Sequence, residues 1–198
     1  TMSSTNFAKT PRKAQASAHI TPLCDRLSDS RQLSLKLAEP LTDEDQTVQA
    51  MDDASPTKWH LAHTTWFYEA FVLRAHLPGY VPYSDDFDYC FNSYYEAKGD
   101  RQPRARRGVL TRPPAQEVRD YRAHVDTALG RLFSEGLAND PSDAVGALIE
   151  LGINHEQQHQ ELLLTDILSL FAEKPLWPAY RHPQPRPETV ASTQPEQS

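Results

Sequence analysis

The stretch NHEQQHQELLL, residues 154–164, places two histidines four residues apart at the start of an apolar run. His155 and His159 fit the pattern H-E-x-x-H, which is typical of zinc metalloproteases in which Glu156 would be the general base. Four residues make about one helical turn, so both imidazoles lie on one side of a predicted helix. The stretch predicts a metal site, and the rest of the chain must decide which chemistry that metal serves.

Four long helices are predicted around this stretch. They cover residues 22–38, 55–74, 114–134 and 140–172, with a short helical turn after Thr42. Ser55 and Asp140 are the expected N-caps, and each is followed by a proline at the first helical position. Since no segment shows sustained alternation of apolar and polar residues, we predict an all-α protein, an up-down four-helix bundle.

The connection between the second and third helices, residues 77–113, is too long to lack structure inside a compact domain. We therefore expect an ordered crossover with a functional role. Residues 1–21 and 181–198 are polar and poor in large apolar side chains, so we predict that both are disordered. Residues 22–180 then form a single domain.

Composition excludes several classes of function. The 198 residues carry 20 Lys and Arg against 27 Asp and Glu, a formal charge of -7, which argues against nucleic-acid binding. Two cysteines, Cys24 and Cys90, are too few for the disulfide framework of a small secreted protein. Because no apolar run is long enough to span a bilayer, we expect a cytoplasmic protein without a membrane partner.

A helical wheel places both histidines of the stretch on the apolar face of the fourth helix. The face consists of Leu148, Leu151, His155, His159, Leu162 and Asp166, while Glu156 falls about 100° away on a flank. Stacked imidazoles on a core face are costly unless their nitrogen atoms are used. We therefore favour metal ligation for this pair over a packing role.

A third ligand is predicted from the second helix. His63 lies within its apolar stripe, whereas His60 lies at the edge and is left as a capping residue, a packing residue or a donor to a ligand. Three neutral imidazoles leave positions open for water or substrate, and they suit Zn(II) and Fe(II) equally. His124 is given a plain helical role. No role is assigned to His19, His76 or His182.

The protease interpretation fails on the surroundings of the motif. No strand is predicted beside the site to pair with a peptide substrate. The downstream candidate for a third ligand, Glu173, ends the same helix and cannot fold back to the metal. Glu156 is therefore expected to have no catalytic role.

Several motifs, in order along residues 22–180, resemble one known family. They are SPTKWHLAHTTWFYE (55–69), FNSYYEAKG (91–99), RGVLTRP (107–113), YRAHV (121–125) and NHEQQHQELLLTDI (154–167). Together they resemble the N-terminal, DinB-like domain of the EgtB-type sulfoxide synthases of ergothioneine biosynthesis. The related ovothiol synthases are similar in this region.

The resemblance implies a reaction and a cofactor. The family's three iron-binding histidines correspond to His63, His155 and His159, and the metal would be non-haem Fe(II). The enzyme would be an oxidoreductase that uses O₂ to join a thiol, cysteine or γ-glutamylcysteine, to N-trimethylhistidine (hercynine) as a sulfoxide.

Substrate contacts also follow from the resemblance. Gln158 corresponds to a residue that contacts the substrate imidazole. Arginines of the crossover bind substrate carboxylates in some members, and Arg104 and Arg107 are the candidates for that role in this sequence. The alternative for this arginine-rich stretch is a solvated basic loop.

Family members continue into a second domain that resembles the formylglycine-generating enzyme and supplies a catalytic tyrosine. This sequence instead ends in a polar tail, and Tyr94 and Tyr95 are not expected to replace that tyrosine. Three explanations stay open: a fragment, a partner domain or second copy on another chain, or a different function. The last includes a zinc-dependent thiol transferase or hydrolase and a non-catalytic helical module.

Overall fold

Helices make up the regular structure in the computed structural model of the protein, which describes residues 22–93, 99–138 and 142–181. The α-helices are α1 (Leu23–Ala38), α2 (Thr57–Tyr68), α3 (Arg74–His76), α4 (Phe87–Phe91), α5 (Ala115–Ser134) and α6 (Ala144–Glu173). A π-helical turn, Glu69–Leu73, joins α2 to α3, and a 3₁₀ helix covers Arg104–Val109. The described residues contain no strand, which confirms the predicted all-α class.

The four long helices pack as a bundle with α2 at its centre. α1 lies against α6, α6 lies against α2, and α2 lies against α5. Every residue of α2 is buried, including polar ones such as Lys58 and Thr65. A helix that is apolar or aromatic on all sides is stable only when neighbours cover it completely. The bundle predicted from the sequence is confirmed, with α2 more enclosed than a helix with one apolar stripe.

The crossover between α3 and α5 is held against the bundle by one buried carboxylate. Glu69 accepts hydrogen bonds from the hydroxyl groups of Tyr80, at 2.6 Å, and Tyr121, at 2.8 Å. The Arg74 guanidinium, 3.2 Å from the same carboxylate, balances its charge. Because Tyr80 begins the crossover and Tyr121 belongs to α5, Glu69 ties both to the end of α2. The crossover also carries α4 and the 3₁₀ helix.

Two predicted helix starts differ from the observed ones. α6 begins at Ala144, and its N-cap is Asp143, whose side chain accepts a hydrogen bond from the Gly146 N–H. The prediction of Asp140 as the cap is therefore wrong, and Asp140 itself lies outside the described residues. α2 begins at Thr57 with Pro56 in the cap position, one residue later than the sequence suggests.

The segment after Thr42 forms turns instead of a helix. Thr42 Oγ1 accepts a hydrogen bond from the Asp45 N–H, and Asp45 Oδ2 accepts one from the Thr42 N–H, both at 3.1 Å. This reciprocal pair is the arrangement of a capping box. The hydrogen bonds typical of a helix N-cap are thus present at Thr42, but the predicted helical turn does not follow.

The described part of the chain has no helix long and apolar enough to cross a membrane. The segments predicted to be disordered, residues 1–21 and nearly all of 181–198, lie outside the described residues, as do Tyr94 and Tyr95.

α2 and α6 are in close contact at a glycine. A Cβ atom added to Gly152 of α6 would lie 2.4 Å from Cε1 of Tyr68, the last residue of α2. Tyr68 is fully buried, so its ring has little room to move away. The absence of a side chain at position 152 therefore sets the distance between the two helices that carry the candidate ligands.

We predict that Gly152→Ala lowers the free energy of unfolding by about 1–3 kcal/mol, because the methyl group overpacks the contact with Tyr68. Gly130 in α5 is the matched control, since a Cβ there meets no atom within 4 Å. Gly130→Ala is expected to raise stability by about 0.5–1 kcal/mol through helix propensity. Urea denaturation of both variants measures the difference. Equal stabilisation by the two substitutions would contradict the close approach.

Candidate metal centre

α6 turns a different face to the core from the one that the helical wheel predicted. Its buried residues are Gly146, Ile149, Gly152, Ile153, Glu156, Gln160, Leu163, Ile167, Leu170 and Phe171. Leu151, expected in the core, is 55% exposed, and His155 and His159 are only partly buried. The predicted buried face is therefore wrong by about 100°, one residue of helix rotation. The two histidines border a cavity at the edge of the bundle.

The residue that turns inward in their place is Glu156, with no exposed surface. Its Oε1 accepts hydrogen bonds from Ser34 Oγ and from a terminal guanidinium nitrogen of Arg122, both at 2.7 Å. Its Oε2 accepts one from Arg31 at 3.1 Å. Arg31 and Arg122 are themselves buried, so the carboxylate neutralises positive charge inside the bundle. A buried charge is tolerated when it is paired and hydrogen-bonded in this way.

This arrangement bears on both expectations for Glu156. Burial alone would raise the pKa of its carboxyl group, but Arg122 and Arg31 lower it to about 2. A carboxylate so weakly basic, with both oxygens engaged, is a poor general base. The expectation that Glu156 has no catalytic role stays a prediction, whereas its predicted place on a flank of α6 is wrong, because its side chain lies in the core.

Three imidazoles meet at the edge of the bundle. His63 comes from α2, and His155 and His159 come from α6; one ring nitrogen from each lies within 4.8 Å of the other two. His63 Nε2 and His155 Nε2 are 3.2 Å apart. Metal–nitrogen bonds of about 2.0–2.1 Å at ordinary coordination angles separate neighbouring ligand nitrogens by roughly 2.9–3.4 Å. The observed spacing therefore fits a shared divalent ion.

His63 is fixed in orientation by its neighbours. Its Nδ1 lies 2.6 Å from the carbonyl oxygen of Phe91, which can only accept, so Nδ1 carries the proton and the Nε2 lone pair points to the other histidines. Its ring is stacked between Trp59, at 4.6 Å between centroids, and Trp66, at 5.9 Å. The indole N–H of Trp59 donates to the Cys90 carbonyl at 3.0 Å. This ligand is thus preorganised by the crossover.

The electrostatic surroundings keep the three imidazoles neutral. Burial lowers the pKa of each ring, and neighbouring histidines lower further the pKa of His63 and of His159. A histidine must be neutral to ligate a metal, so this cluster is ready to bind at neutral pH without losing protons.

The amino-acid sequence places this fold in a known family. The model of the DinB superfamily matches residues 26–163, more than half of the chain. This protein belongs to the DinB superfamily. No curated protein matches the chain in sequence. In this DinB domain the three-histidine cluster can hold a divalent metal ion.

A cavity of about 580 Å³ opens over the three imidazoles of the DinB domain, and the three predicted substrate residues line it. Gln158 is exposed beside the histidines. Arg104 is exposed and donates to the Asp53 carbonyl. The structure therefore places Gln158, Arg104 and Arg107 in one cavity with the three histidines.

Arg107 occupies a different environment from the other arginines of its segment. It is 4% exposed, and its guanidinium carbon lies 3.4 Å from the centroid of the Trp59 ring. Terminal nitrogens donate to Ser55 Oγ at 2.9 Å and Ser93 Oγ at 3.3 Å. A solvated basic loop is the wrong description for this residue, because its charge is held over an aromatic face inside the cavity.

Sequence analysis missed two features of the site. Trp59 was treated only as a core residue, yet it supports both His63 and Arg107. His60 was left without a defined role and is 3% exposed, with its Nδ1 2.9 Å from His159 Nδ1. The signal available for His60 was its spacing of three residues from His63, which places both on adjacent sides of α2. His124 contacts the Val81 carbonyl away from the cavity.

We predict that Glu156→Gln lowers the free energy of unfolding at pH 7 by about 3–5 kcal/mol, because the buried Arg122 loses its counter-ion and Arg31 keeps only Asp126. The folded pKa of Glu156 lies below its ordinary value of 4.5, so its contribution is complete above that pH and disappears as pH falls toward about 2.

The measurement is urea denaturation at several pH values, with Glu161→Gln, an exposed glutamate on the same helix, as the control. The gap between the wild type and Glu156→Gln should narrow from pH 5 downward. A gap that is small at pH 7, or that widens in acid, would contradict the buried ion pair as the source of stability.

Proposed function

We propose that this DinB domain is the metal-binding part of a non-haem iron(II)- and O₂-dependent sulfoxide synthase. Its substrates would be a cysteine-type thiol and N-trimethylhistidine. The observation that carries the proposal is the meeting of three neutral imidazoles, His63, His155 and His159, beneath a cavity lined by a buried arginine. Iron(II) bound there would supply the redox chemistry that activates O₂.

The proposed reaction balances with O₂ as the only oxidant. The thiol loses its S–H hydrogen and the imidazole ring loses one C–H hydrogen as the C–S bond forms. One oxygen atom is transferred to sulfur, and the other leaves as water with the two hydrogens. This four-electron oxidation requires no external reductant.

The cavity residues offer matching contacts for both substrates. The Arg107 guanidinium is charged and sits between Trp59 and two serine hydroxyls, which suits a carboxylate of the thiol substrate. Gln158 presents an amide that can donate to or accept from a second imidazole ring. Arg104 lies at the outer side, where it would extend the same anionic subsite.

The histidine face is open on the outer side of α6. Leu151, one turn before His155, is 55% exposed, and Leu162 is only partly covered. We propose that a formylglycine-generating-enzyme-like domain, or a second copy of this chain, covers this face during the reaction. Such a cover would exclude water from the metal and the substrates.

A second candidate is a zinc-dependent thiol transferase or hydrolase built on the same cluster. The three-histidine cluster supports this candidate as well as it supports the sulfoxide synthase, because three imidazoles bind Zn(II) as readily as Fe(II). Metal analysis after expression and purification without oxygen separates the candidates. Iron near one per chain supports the sulfoxide synthase, whereas zinc near one per chain with turnover of thiol conjugates supports the alternative.

We predict that His63→Ala removes the metal site. The wild type should take up one Fe(II) per chain under anaerobic conditions, with a change in tryptophan fluorescence because Trp59 and Trp66 stack on the ligand. His63→Ala should lose both signals. His124→Ala, on α5 and outside the cavity, is the control and should bind like the wild type. Undiminished binding by His63→Ala would rule out the proposed ligand set.

Substrate binding has its own test at Arg107. A hydrogen bond to a charged group contributes about 1.5–3 kcal/mol, so Arg107→Gln should weaken binding of γ-glutamylcysteine by about 10- to 100-fold. Calorimetry on protein loaded with Zn(II) measures binding without oxidation. Arg106→Gln, in the same 3₁₀ helix but exposed, is the matched control. Equal affinities of the two variants would contradict a carboxylate contact at Arg107.

A further inference from the structure

Three side chains form a continuous line of hydrogen bonds that ends at one of the candidate ligands. Asp166 Oδ2 lies 2.9 Å from His60 Nε2, and His60 Nδ1 lies 2.9 Å from His159 Nδ1. Asp166 and His159 belong to α6, seven residues apart and therefore on one side of the helix. His60 belongs to α2, so the line crosses between the two helices that supply the metal cluster.

The Asp166 carboxylate at the end of this line determines which atom is the donor in each hydrogen bond. An ionised carboxylate only accepts hydrogen bonds, so His60 must carry a proton on Nε2. His60 is buried, and burial favours its neutral form, whose Nδ1 is then an acceptor. The remaining contact requires His159 to donate from Nδ1. A neutral His159 protonated at Nδ1 keeps a lone pair on Nε2.

Asp166 is itself held in place at the beginning of α2. Its Oδ2 also accepts a hydrogen bond from the Ser55 N–H at 2.8 Å. Ser55 lies two residues before the first residue of α2, so this hydrogen bond holds the Asp166 carboxylate beside the start of that helix and pointed at His60. Both donors converge on the same oxygen atom, so the geometry depends on one well-placed acceptor.

We propose that Asp166 and His60 are positioning residues that hold His159 in the tautomer whose Nε2 can bind a divalent metal ion. This inference rests on the proposed metal site. It assigns a role to two residues that do not themselves ligate the ion. In this arrangement the His60 ring lies between the Asp166 carboxylate and the ligand His159. The carboxylate can offset part of the metal's charge through the polarised hydrogen bonds that connect them.

The other two ligands are held differently, which makes this line testable. His63 donates to a backbone carbonyl, that of Phe91, which side-chain substitution cannot remove. His155 Nδ1 is buried and has no hydrogen-bond partner among the described residues. Among the described residues, His159 is therefore the ligand that is hydrogen-bonded to a side chain outside the three-histidine cluster.

The first experiment reads the tautomers directly in the metal-free protein. Two-bond ¹H–¹⁵N NMR on histidine-labelled protein should show His159 protonated at Nδ1 and His60 protonated at Nε2, with assignments from single-histidine variants. In Asp166→Ala, the loss of the acceptor should shift His60 or His159 toward a mixture of its two neutral tautomers. His159 protonated mainly at Nε2 in the wild type would overturn the proposal.

The second experiment measures Co(II) affinity, stoichiometry and absorption spectrum. Loss of a group that orients a metal-binding histidine typically weakens affinity by about 10- to 100-fold. We expect that range for His60→Phe and Asp166→Ala, with one Co(II) per chain and an unchanged ligand number. Asp166→Asn keeps an oxygen that accepts from both donors, so it should lose less than about 10-fold. His124→Gln is the control and should match the wild type.

The outcomes separate this inference from the proposed function. A Co(II) spectrum that shows one ligand fewer in His60→Phe would make His60 a ligand and overturn its positioning role. Wild-type Co(II) affinity in both His60→Phe and Asp166→Ala would also overturn the positioning role. A wild type that binds no divalent metal would remove the proposed function, while the tautomers of the metal-free protein still decide the hydrogen-bond line. Circular dichroism verifies that each variant is folded, and the wild-type NMR result stands if one is not.

Discussion

The rotation of α6 depends on one buried ion pair, that of Glu156 with Arg31 and Arg122. Arg31 comes from α1 and Arg122 from α5, so a single carboxylate joins three of the four long helices at the centre of the bundle. Removing Glu156 would leave the buried Arg122 without a counter-ion, which is far more costly than losing an exposed pair. Because Glu156 is fixed inward, the residues before and after it must face outward. His155 and His159 reach the cavity as a consequence of that constraint.

The site is preorganised by contacts that do not involve a metal. His63 is held between two indole rings and a backbone carbonyl, and His159 is held through His60. Arg107 also lies over the Trp59 ring, so the ligand and the proposed anion subsite share one aromatic support. Such fixed geometry reduces the entropy that must be lost when a metal or substrate binds. The bundle therefore holds a rigid site whose open side faces away from the core.

The conclusions about the function of this site are of two kinds, one general and one more specific. Membership of the DinB superfamily and a three-histidine cluster suitable for a divalent ion are properties of the chain itself. Iron, O₂ and a thiol substrate form the more specific proposal, supported by the position of Arg107 and Gln158 beside the cluster. A zinc-dependent thiol transferase would use the same ligands and could hold the carboxylate of its thiol in the same charged subsite over Trp59. The arginine is thus the feature of this cavity that favours the thiol carboxylate.

The sequence by itself determined the four long helices, the bundle class and the placement of His155 beside His159, because helix signals and an i, i+4 spacing are local. His63 followed from its place in the apolar stripe of another helix. It did not determine which face of α6 is buried. The wheel placed Glu156 on a flank of the helix, whereas its partner Arg31 lies 125 residues earlier in the chain. The role of His60 likewise required Asp166, from another helix. Tertiary structure decided these points, since a charge is stable in the core only where distant residues bring its counter-charge.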